Sequence, residues 1–158
     1  MKKAFPIILM LVGVVFLASG VYTIGRGFNA KDQVQSELEA QNIVTPEDAS
    51  IPNTQVNSVA TAKSMADIID EHSLKATGGK TYSELDRTDP TRATAFQASA
   101  LRTSLYTSVM AFNVGDLVIG LGALIGILGV AFIGLGVALE ALVLPSLAHR
   151  VHVEPVIA

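Results

Sequence analysis

A run of 23 uncharged residues, Leu117 to Leu139, constrains this chain more than any other feature. Asp116 precedes the run and Glu140 follows it. A helix of this length crosses a hydrocarbon core of roughly 30 Å. Because a carboxylate at the centre of a bilayer is costly, the two acidic residues mark the limits of the apolar segment. The run therefore predicts a transmembrane helix.

A second uncharged run, the 21 residues from Ala4 to Ile24, follows Lys2 and Lys3 near the start of the sequence. It also matches the thickness of a bilayer. A secretory signal peptide is the alternative, since the small residues at positions 18–20 offer a cleavage point. The apolar run continues past that point, which favours an uncleaved membrane anchor.

The basic residues predict the orientation of the two spans. Lys2 and Lys3 place the N-terminus in the cytoplasm, and Arg150, close behind the second run, places the C-terminus there. The segment Arg26–Asn113 then lies outside the cell inner (plasma) membrane, and its eight Lys and Arg against eleven Asp and Glu give it a net charge of −3. The expected divisions are the N-terminus and first span at 1–24, an extracytoplasmic segment at 25–113 with a loop near 42–58, a second span at 114–144, and a short cytoplasmic tail at 145–158.

The composition argues against several classes of function. The chain has 158 residues and no cysteine, so it has no disulfide, no thiolate nucleophile and no cysteine-held iron–sulfur cluster. Its formal net charge is −3, and its Lys and Arg are scattered, so nothing favours nucleic acid as a partner.

The middle of the sequence reads as a small helical domain. Residues 30–41 are rich in helix formers and free of glycine and proline, so we expect them to continue the first span outward. Residues 42–58 are rich in turn formers and predict a loop or an extended connector. Thr61–Ala76 predicts a helix. Its narrow apolar stripe comprises Met65, Ile68, Ile69 and His72.

A long helix is predicted to begin at Asp89-Pro90, because aspartate caps free N–H groups and proline suits the first turn. No helix breaker follows before the second span. The apolar positions that repeat at helical spacing are Ala98, Leu101, Leu105, Val109 and Phe112. The fold class is therefore an all-α membrane protein, a two-transmembrane helical hairpin with a small extracytoplasmic helical domain.

The tripeptide Gly79-Lys80-Thr81 matches the end of a phosphate-binding P-loop. That motif needs a glycine five positions before Gly79, where this chain has Leu74, and it needs a preceding strand. Here the preceding segment is predicted to be helical. We therefore expect no nucleotide, and we expect Gly78 and Gly79 to cap the helix.

Glycine recurs every seven residues in both apolar runs. Because lipid offers no hydrophobic drive for helix association, small residues promote it by letting backbones approach closely. A seven-residue interval keeps them on one face of a left-handed helix pair. The seam lies either between the two spans or against another chain, and the alternative is that glycine is merely frequent here. The predicted helix-packing seam comprises Gly13, Gly20, Gly115, Gly122, Gly126, Gly129 and Gly136.

Titratable residues form no recognisable catalytic set. Asp116 is either an ion site or an interface carboxylate, and a lone acid at the end of a span favours the interface. His149 and His152 are spaced like metal ligands, but flanking prolines favour a solvated tail. The carboxylates between positions 67 and 89 alternate with basic residues and predict surface ion pairs rather than a cation site. We expect no metal and no cofactor.

The stretch ADIIDEHSLKATGGKTYSELDRTDPTR, followed by ASALRTSLYTSVMAF and a glycine-rich span, resembles a family of small, uncharacterised two-span membrane proteins of actinobacteria. The likeness covers about Met65 to Leu139. Some members carry the label of an aromatic ring-opening dioxygenase, whose iron needs two histidines and a carboxylate. Outside the predicted spans and tail this chain has one histidine, so we expect no such activity. The resemblance implies a shared surface or turn formed by His72, Gly78, Gly79, Lys80, Tyr82, Asp86, Arg87, Asp89, Pro90 and Arg92. All of these residues except Asp89 and Pro90 make up the predicted interaction surface.

Two spans without a catalytic set predict a non-enzymatic integral membrane protein. The first hypothesis is an accessory or structural subunit that associates with a larger envelope or respiratory complex, or with itself. Its partners would be the lipid bilayer and other membrane subunits or a second copy. The alternative is a cell-surface sensor or ligand-binding protein whose binding face is Thr77–Arg92.

Overall fold

The computed structural model describes residues 4–151, and it describes side chains for residues 4–142. Regular structure in this part of the chain is helical and consists of α1 (Ala4–Ala40), α2 (Val59–Ala76) and α3 (Arg92–Val151). One isolated β-bridge joins Val44 and Gln55. The all-α prediction is confirmed. The predictions for Lys2, Lys3, the side chains of Arg150 and the tail histidines, and the tail beyond 151 lie outside the described residues.

Both long helices run through a change from apolar to polar sequence. α1 continues past the first apolar run as far as Ala40, as its helix-forming composition predicts. α3 runs without a break from Arg92 into the second apolar run. It begins later than the predicted Asp89-Pro90, because Pro90 and Thr91 form a turn ahead of the helix.

The chain folds as two compact units. The apolar unit comprises the chain up to Arg26 and from Leu117 onward, and the polar unit is Gly27–Asp116. Two of the described helices, Ala4–Ala40 and Arg92–Leu142, are long and apolar enough to cross a membrane. Buried residues make up only 17 % and 11 % of their most apolar stretches.

The core of the polar unit draws on all three helices and on the connector between α1 and α2. Leu38 of α1, Val56 of the loop and Ala62 and Ala66 of α2 pack with Leu105 and Phe112 of α3. Full burial of a side chain such as Leu or Phe contributes about 1.5–3 kcal/mol. This core therefore holds α1 and α3 against α2, whose residues in the core are the small Ala62 and Ala66.

Two positions of the predicted apolar stripes are not buried. On α3, Leu105 is 4 % exposed but Leu101 is 54 % exposed. On α2, Ile68 is buried and His72 is exposed. Leu101 and His72 therefore lie at uncovered edges of their stripes, because α2 packs through Ala62 and Ala66.

The connector between α1 and α2 is ordered by hydrogen bonds. Thr45 Oγ1 donates to Ile51 O over 2.5 Å and accepts from Thr54 N over 3.0 Å. At the end of the connector, Ser58 caps α2: its hydroxyl accepts from Thr61 N, and Thr61 Oγ1 accepts from Ser58 N over 3.1 Å. This reciprocal capping box satisfies N–H groups that the first turn of a helix leaves free.

Candidate functional site

The predicted interaction surface begins with a glycine turn at the end of α2. Gly78 and Gly79 have φ angles of +66° and +86°, values that only glycine adopts without strain. Gly79 N donates to Leu74 O over 2.7 Å, which closes the helix. Thr77 Oγ1 donates to Lys80 O over 2.5 Å and fixes the chain as it leaves the turn. The two glycines therefore form the predicted cap, and space around them is open.

The next turn is held by Glu84. Its Oε2 accepts hydrogen bonds from Thr81 N over 2.7 Å and from Thr81 Oγ1 over 2.6 Å. These two bonds hold the pKa of the Glu84 carboxyl below its ordinary value. Sequence reasoning assigns Glu84 only a surface charge, although its position three residues after Thr81 matches the capping-box pattern.

Asp89 organises the start of α3. Its Oδ1 accepts from Thr91 N over 2.8 Å and from Thr91 Oγ1 over 2.6 Å. Both bonds favour the ionised form, so the pKa of Asp89 is lowered. Arg92 N, at the first helical residue, donates to Asp89 O over 3.1 Å. An aspartate therefore precedes the helix as predicted, but its side chain accepts hydrogen bonds from Thr91 in the preceding turn.

Arg92 joins this turn to α3. Its guanidinium lies over the ring of Tyr82, 4.1 Å from the ring centroid, in a cation–π contact. Its Nη1 donates to the carbonyl oxygens of Leu85 and, over 3.2 Å, Tyr82. The rings of Tyr82 and Phe96 are 5.6 Å apart between centroids. Since Leu85 is buried, these contacts fasten residues 82–85 to the first turns of α3.

An open cleft of about 420 Å³ lies beside these contacts. The residues that line it include Tyr82, Arg87 and Arg92 from the predicted interaction surface, together with Asp89 and Phe96. Its lining combines two aromatic rings, two guanidinium groups and one carboxylate. Because Arg92 is held by two carbonyls, Arg87 is the guanidinium left to meet a ligand there.

Other members of the predicted surface lie outside this cleft. Lys80 lines a separate small cavity of about 50 Å³ with Asp70 and Arg102. His72 Nε2 lies 2.7 Å from Asp48 Oδ2, and this hydrogen bond lowers the pKa of Asp48. The structure thus places Tyr82, Arg87 and Arg92 in one cleft. Lys80 shares only the smaller cavity with Tyr82, and His72 and Asp86 line neither.

Polar contacts between α2 and α3 are a feature that the sequence analysis missed. Arg102 Nη1 pairs with Asp70 Oδ1 at 2.6 Å, and Tyr106 Oη donates to Asp67 Oδ1 over 2.9 Å. The predicted ion pairs with interleaved basic residues are confirmed for Glu71, whose Oε1 lies 2.7 Å from Lys75 Nζ. Asp70 is also paired. Its partner comes from the next helix, however, and no local spacing points to it.

In the apolar unit, glycines bring α1 and α3 into close contact. A β-carbon on Gly13 would lie 2.7 Å from Gly129 O, and one on Gly122 would lie 2.8 Å from Gly20 O. Phe16 and Phe132 add an edge-to-face contact with centroids 5.6 Å apart. A β-carbon needs more room than these distances offer. This packing therefore requires glycine at positions 13, 20, 122 and 129.

Two further glycines of the predicted seam differ in the space around them. A β-carbon on Gly136 would lie 2.9 Å from Pro6 O and 2.5 Å from Met10 Cγ. One on Gly126 would meet nothing within 4 Å, although the backbone of Gly126 lies against Gly20. The close contacts described are therefore within the chain, one of the two arrangements that the spacing left open.

Gly115 belongs to the polar unit and serves a different contact. A β-carbon there would lie 2.5 Å from Lys31 Cγ. Lys31 Nζ lies 2.5 Å from Asp116 Oδ1. Asp116 therefore forms an ion pair with Lys31, whose side chain passes over Gly115 to reach it. The sequence assigned an interface position to Asp116 but did not identify its partner.

Among the described residues, no group of three His, Asp or Glu side chains is placed to hold a metal ion. Comparison with known proteins adds no relative, because no protein-family model, curated protein or solved structure matches this chain. The resemblance to two-span proteins of actinobacteria stays a prediction.

Proposed function

We propose that this chain is a non-enzymatic integral membrane protein that crosses the inner (plasma) membrane twice and serves as an accessory or structural subunit. In this proposal its termini are cytoplasmic and Gly27–Asp116 lies outside. It associates with a larger envelope or respiratory complex, or with itself.

The exposure of apolar side chains in the apolar unit carries the membrane part of the proposal. Val21 and Ile127 are both 64 % exposed, and Leu11 and Leu117 are both 62 % exposed. Each Å² of apolar surface left in water costs about 25 cal/mol, so faces of this kind need an apolar solvent. A core helix of a water-soluble protein would bury them. A signal peptide accounts for one such helix at most, and α3 is far from the N-terminus.

The accessory role is supported by how the polar unit is organised. Several polar side chains between Thr77 and Arg92 bond to the backbone of this segment, as Glu84, Asp89 and Arg92 show. Contacts of this kind shape a surface. A surface of fixed shape on two membrane helices suits docking to another protein.

Purification at native expression level tests the accessory role. A tagged full-length chain extracted in mild detergent should elute well above the size of one 16.6 kDa chain with its detergent micelle, and it should carry a constant set of membrane subunits or further copies of itself. A lone chain at that expression level would contradict the proposal. A soluble protein with the same tag, exported across the same membrane, identifies contaminants.

The cleft beside Tyr82 and Arg92 supports a second candidate, a cell-surface sensor or ligand-binding protein. Arg87 lines this cleft and is exposed, so it can contact an anionic group on a ligand. If this candidate is right, Arg87→Glu changes the response of the cell to the ligand. Lys63→Glu, an equal charge change at an exposed residue of α2, leaves that response unchanged. Equal behaviour of the two variants would count against it.

A further inference from the structure

A second and larger concavity of the polar unit has a different character. It has a volume of about 660 Å³, and its walls come from residues 33–38 of α1, from Gln41 and Ile43 of the connector, from residues 101–111 of α3 and from α2. Leu38 and Leu105 line it and are almost fully buried, so they form its base. We call this concavity the groove.

The groove is where the apolar pattern of the sequence remains uncovered. Leu101 lines it and is 54 % exposed, and Met65 and Ile69 line it and are half-buried. Helical periodicity places all three on core-facing stripes. Their stripes extend past the packed core, which is the arrangement expected when another element completes the packing.

The dimensions of the groove fit a helix. The α3 wall advances ten residues from Leu101 to Ala111, or about 15 Å at 1.5 Å per residue, which is close to three helical turns. Ser104, Ser108 and Ala111 lie on one face of this wall at i, i+4 and i+7. They are small, and Ser108 Oγ already donates to Ser104 O over 3.3 Å. A second helix can therefore approach this wall closely.

The charge of the groove indicates which kind of molecule can bind there. Glu37 is the one charged residue that lines it. Glu37 is exposed, and within the described part of the chain its side chain forms no ion pair or hydrogen bond. The lining offers no Lys or Arg to an anionic lipid headgroup. It favours an apolar segment that carries a basic residue.

We propose that the groove binds one helix of a partner membrane protein, outside the bilayer, through an apolar stripe and a Lys or Arg opposite Glu37. This helix-in-groove contact uses anchors at i, i+3 or i+4, and i+7. The proposal rests on the accessory role and adds the surface and the kind of partner.

Photo-crosslinking in living cells tests it on the full-length chain. Benzoylphenylalanine replaces Leu101 in the groove, and in a matched control it replaces Phe96, an exposed residue of the same helix that lines the other cleft. The expected adduct from position 101 is a peptide of another membrane protein that is helical, lies outside the bilayer and contains a basic residue. The Phe96 control should not give it.

Charge variants decide whether such an adduct reflects specific docking. Glu37→Lys should lower its yield at least about tenfold, since like charges at an interface cost several kcal/mol. Asp32→Lys, an equal charge change on an exposed residue of the same helix, should leave it unchanged. Both variants should keep the melting temperature of the wild type in detergent, because neither residue is buried.

Several results would overturn the groove as a docking site. They are an adduct of lipid mass, an adduct with a second copy of this chain, no adduct, or an adduct that Glu37→Lys does not weaken. If a partner co-purifies but crosslinks only from position 96, the groove is wrong and the accessory role stands. If no partner co-purifies at all, the accessory role itself fails.

Discussion

Gly20 of α1 lies so close to Gly126 of α3 that a β-carbon on Gly20 would come within 2.6 Å of the Gly126 backbone nitrogen. In lipid, where apolar side chains gain nothing by leaving their solvent, such backbone proximity supplies much of the attraction between helices. The packing of the apolar unit therefore depends on which glycines face the partner helix.

Substitution at Gly20 should separate the two helices. Gly20→Leu is expected to destabilise the detergent-solubilised protein by about 1–3 kcal/mol through overpacking. Gly120→Leu, at a helical position where a β-carbon meets nothing within 4 Å, should leave stability unchanged or raise it slightly. Thermal unfolding followed by circular dichroism measures both, and equal losses would show that the glycine contacts do not hold the helices.

A pair of leucines on α3 tests the packing of the polar unit. Leu105→Ala removes a side chain that is 4 % exposed and should cost about 2–5 kcal/mol. Leu101→Ala removes one that is 54 % exposed and should cost much less. Denaturant unfolding of both variants in the same detergent gives the comparison, and a larger loss at Leu101 would refute the assigned core.

The turn before α3 should make stability depend on acid pH. The hydrogen bonds from Thr91 lower the pKa of Asp89 below its ordinary value of 3.8. A lowered folded-state pKa contributes stability that is present above the unfolded pKa and lost as pH falls through the folded pKa. Wild type should therefore melt above Asp89→Asn near neutral pH, with the difference shrinking in acid.

Melting curves of the two proteins from neutral pH to below 3.8 provide the measurement. Asp48 and Glu84, whose pKa values are also lowered, are present in both proteins and cancel in the comparison. A difference that stays constant with pH would mean that the ionised form of Asp89 has no special role in the turn.

Tyr106 provides a test at alkaline pH. Its hydrogen bond to Asp67 raises its pKa above the ordinary value of 10.0. The bond contributes stability below the unfolded pKa, and that contribution is lost as pH rises through the folded pKa. Among the three tyrosines, Tyr106 should therefore ionise above 10.0, and Asp67→Asn should lower its pKa.

Ultraviolet absorbance titration separates this tyrosine from the others. Subtracting the curve of Tyr106→Phe from that of the wild type isolates its contribution, and the same subtraction in the Asp67→Asn background measures the shift. Ionisation of Tyr106 at the same pH in both backgrounds would contradict the contact between α2 and α3.

The helices themselves could be predicted from sequence because each has a local cause. The composition of residues 30–41 predicts the extension of α1, and Gly78 with Gly79 predicts the end of α2. The start of α3 was placed early, since Asp89 and Pro90 suit both a cap and a turn. Hydrogen bonding by Thr91 selects the turn.

Contacts between distant segments were beyond sequence reasoning. Lys31 and Asp116 are 85 positions apart, and no periodicity relates them. The exposed positions of Leu101 and His72 likewise depend on how α2 is placed, and small residues at 62 and 66 decide that placement. Periodicity indicates which faces are apolar, but it does not indicate how far the covering element extends.

Cysteine labelling tests the central claim, that lipid covers the apolar unit while the polar unit lies outside. The chain has no cysteine, so a single cysteine can be introduced without first removing others. In intact spheroplasts a membrane-impermeant maleimide should label Lys80→Cys fully, whereas Leu124→Cys should react only after the membrane is dissolved. Protection of Lys80→Cys in intact spheroplasts, or equal labelling of Leu124→Cys before and after detergent, would contradict the account.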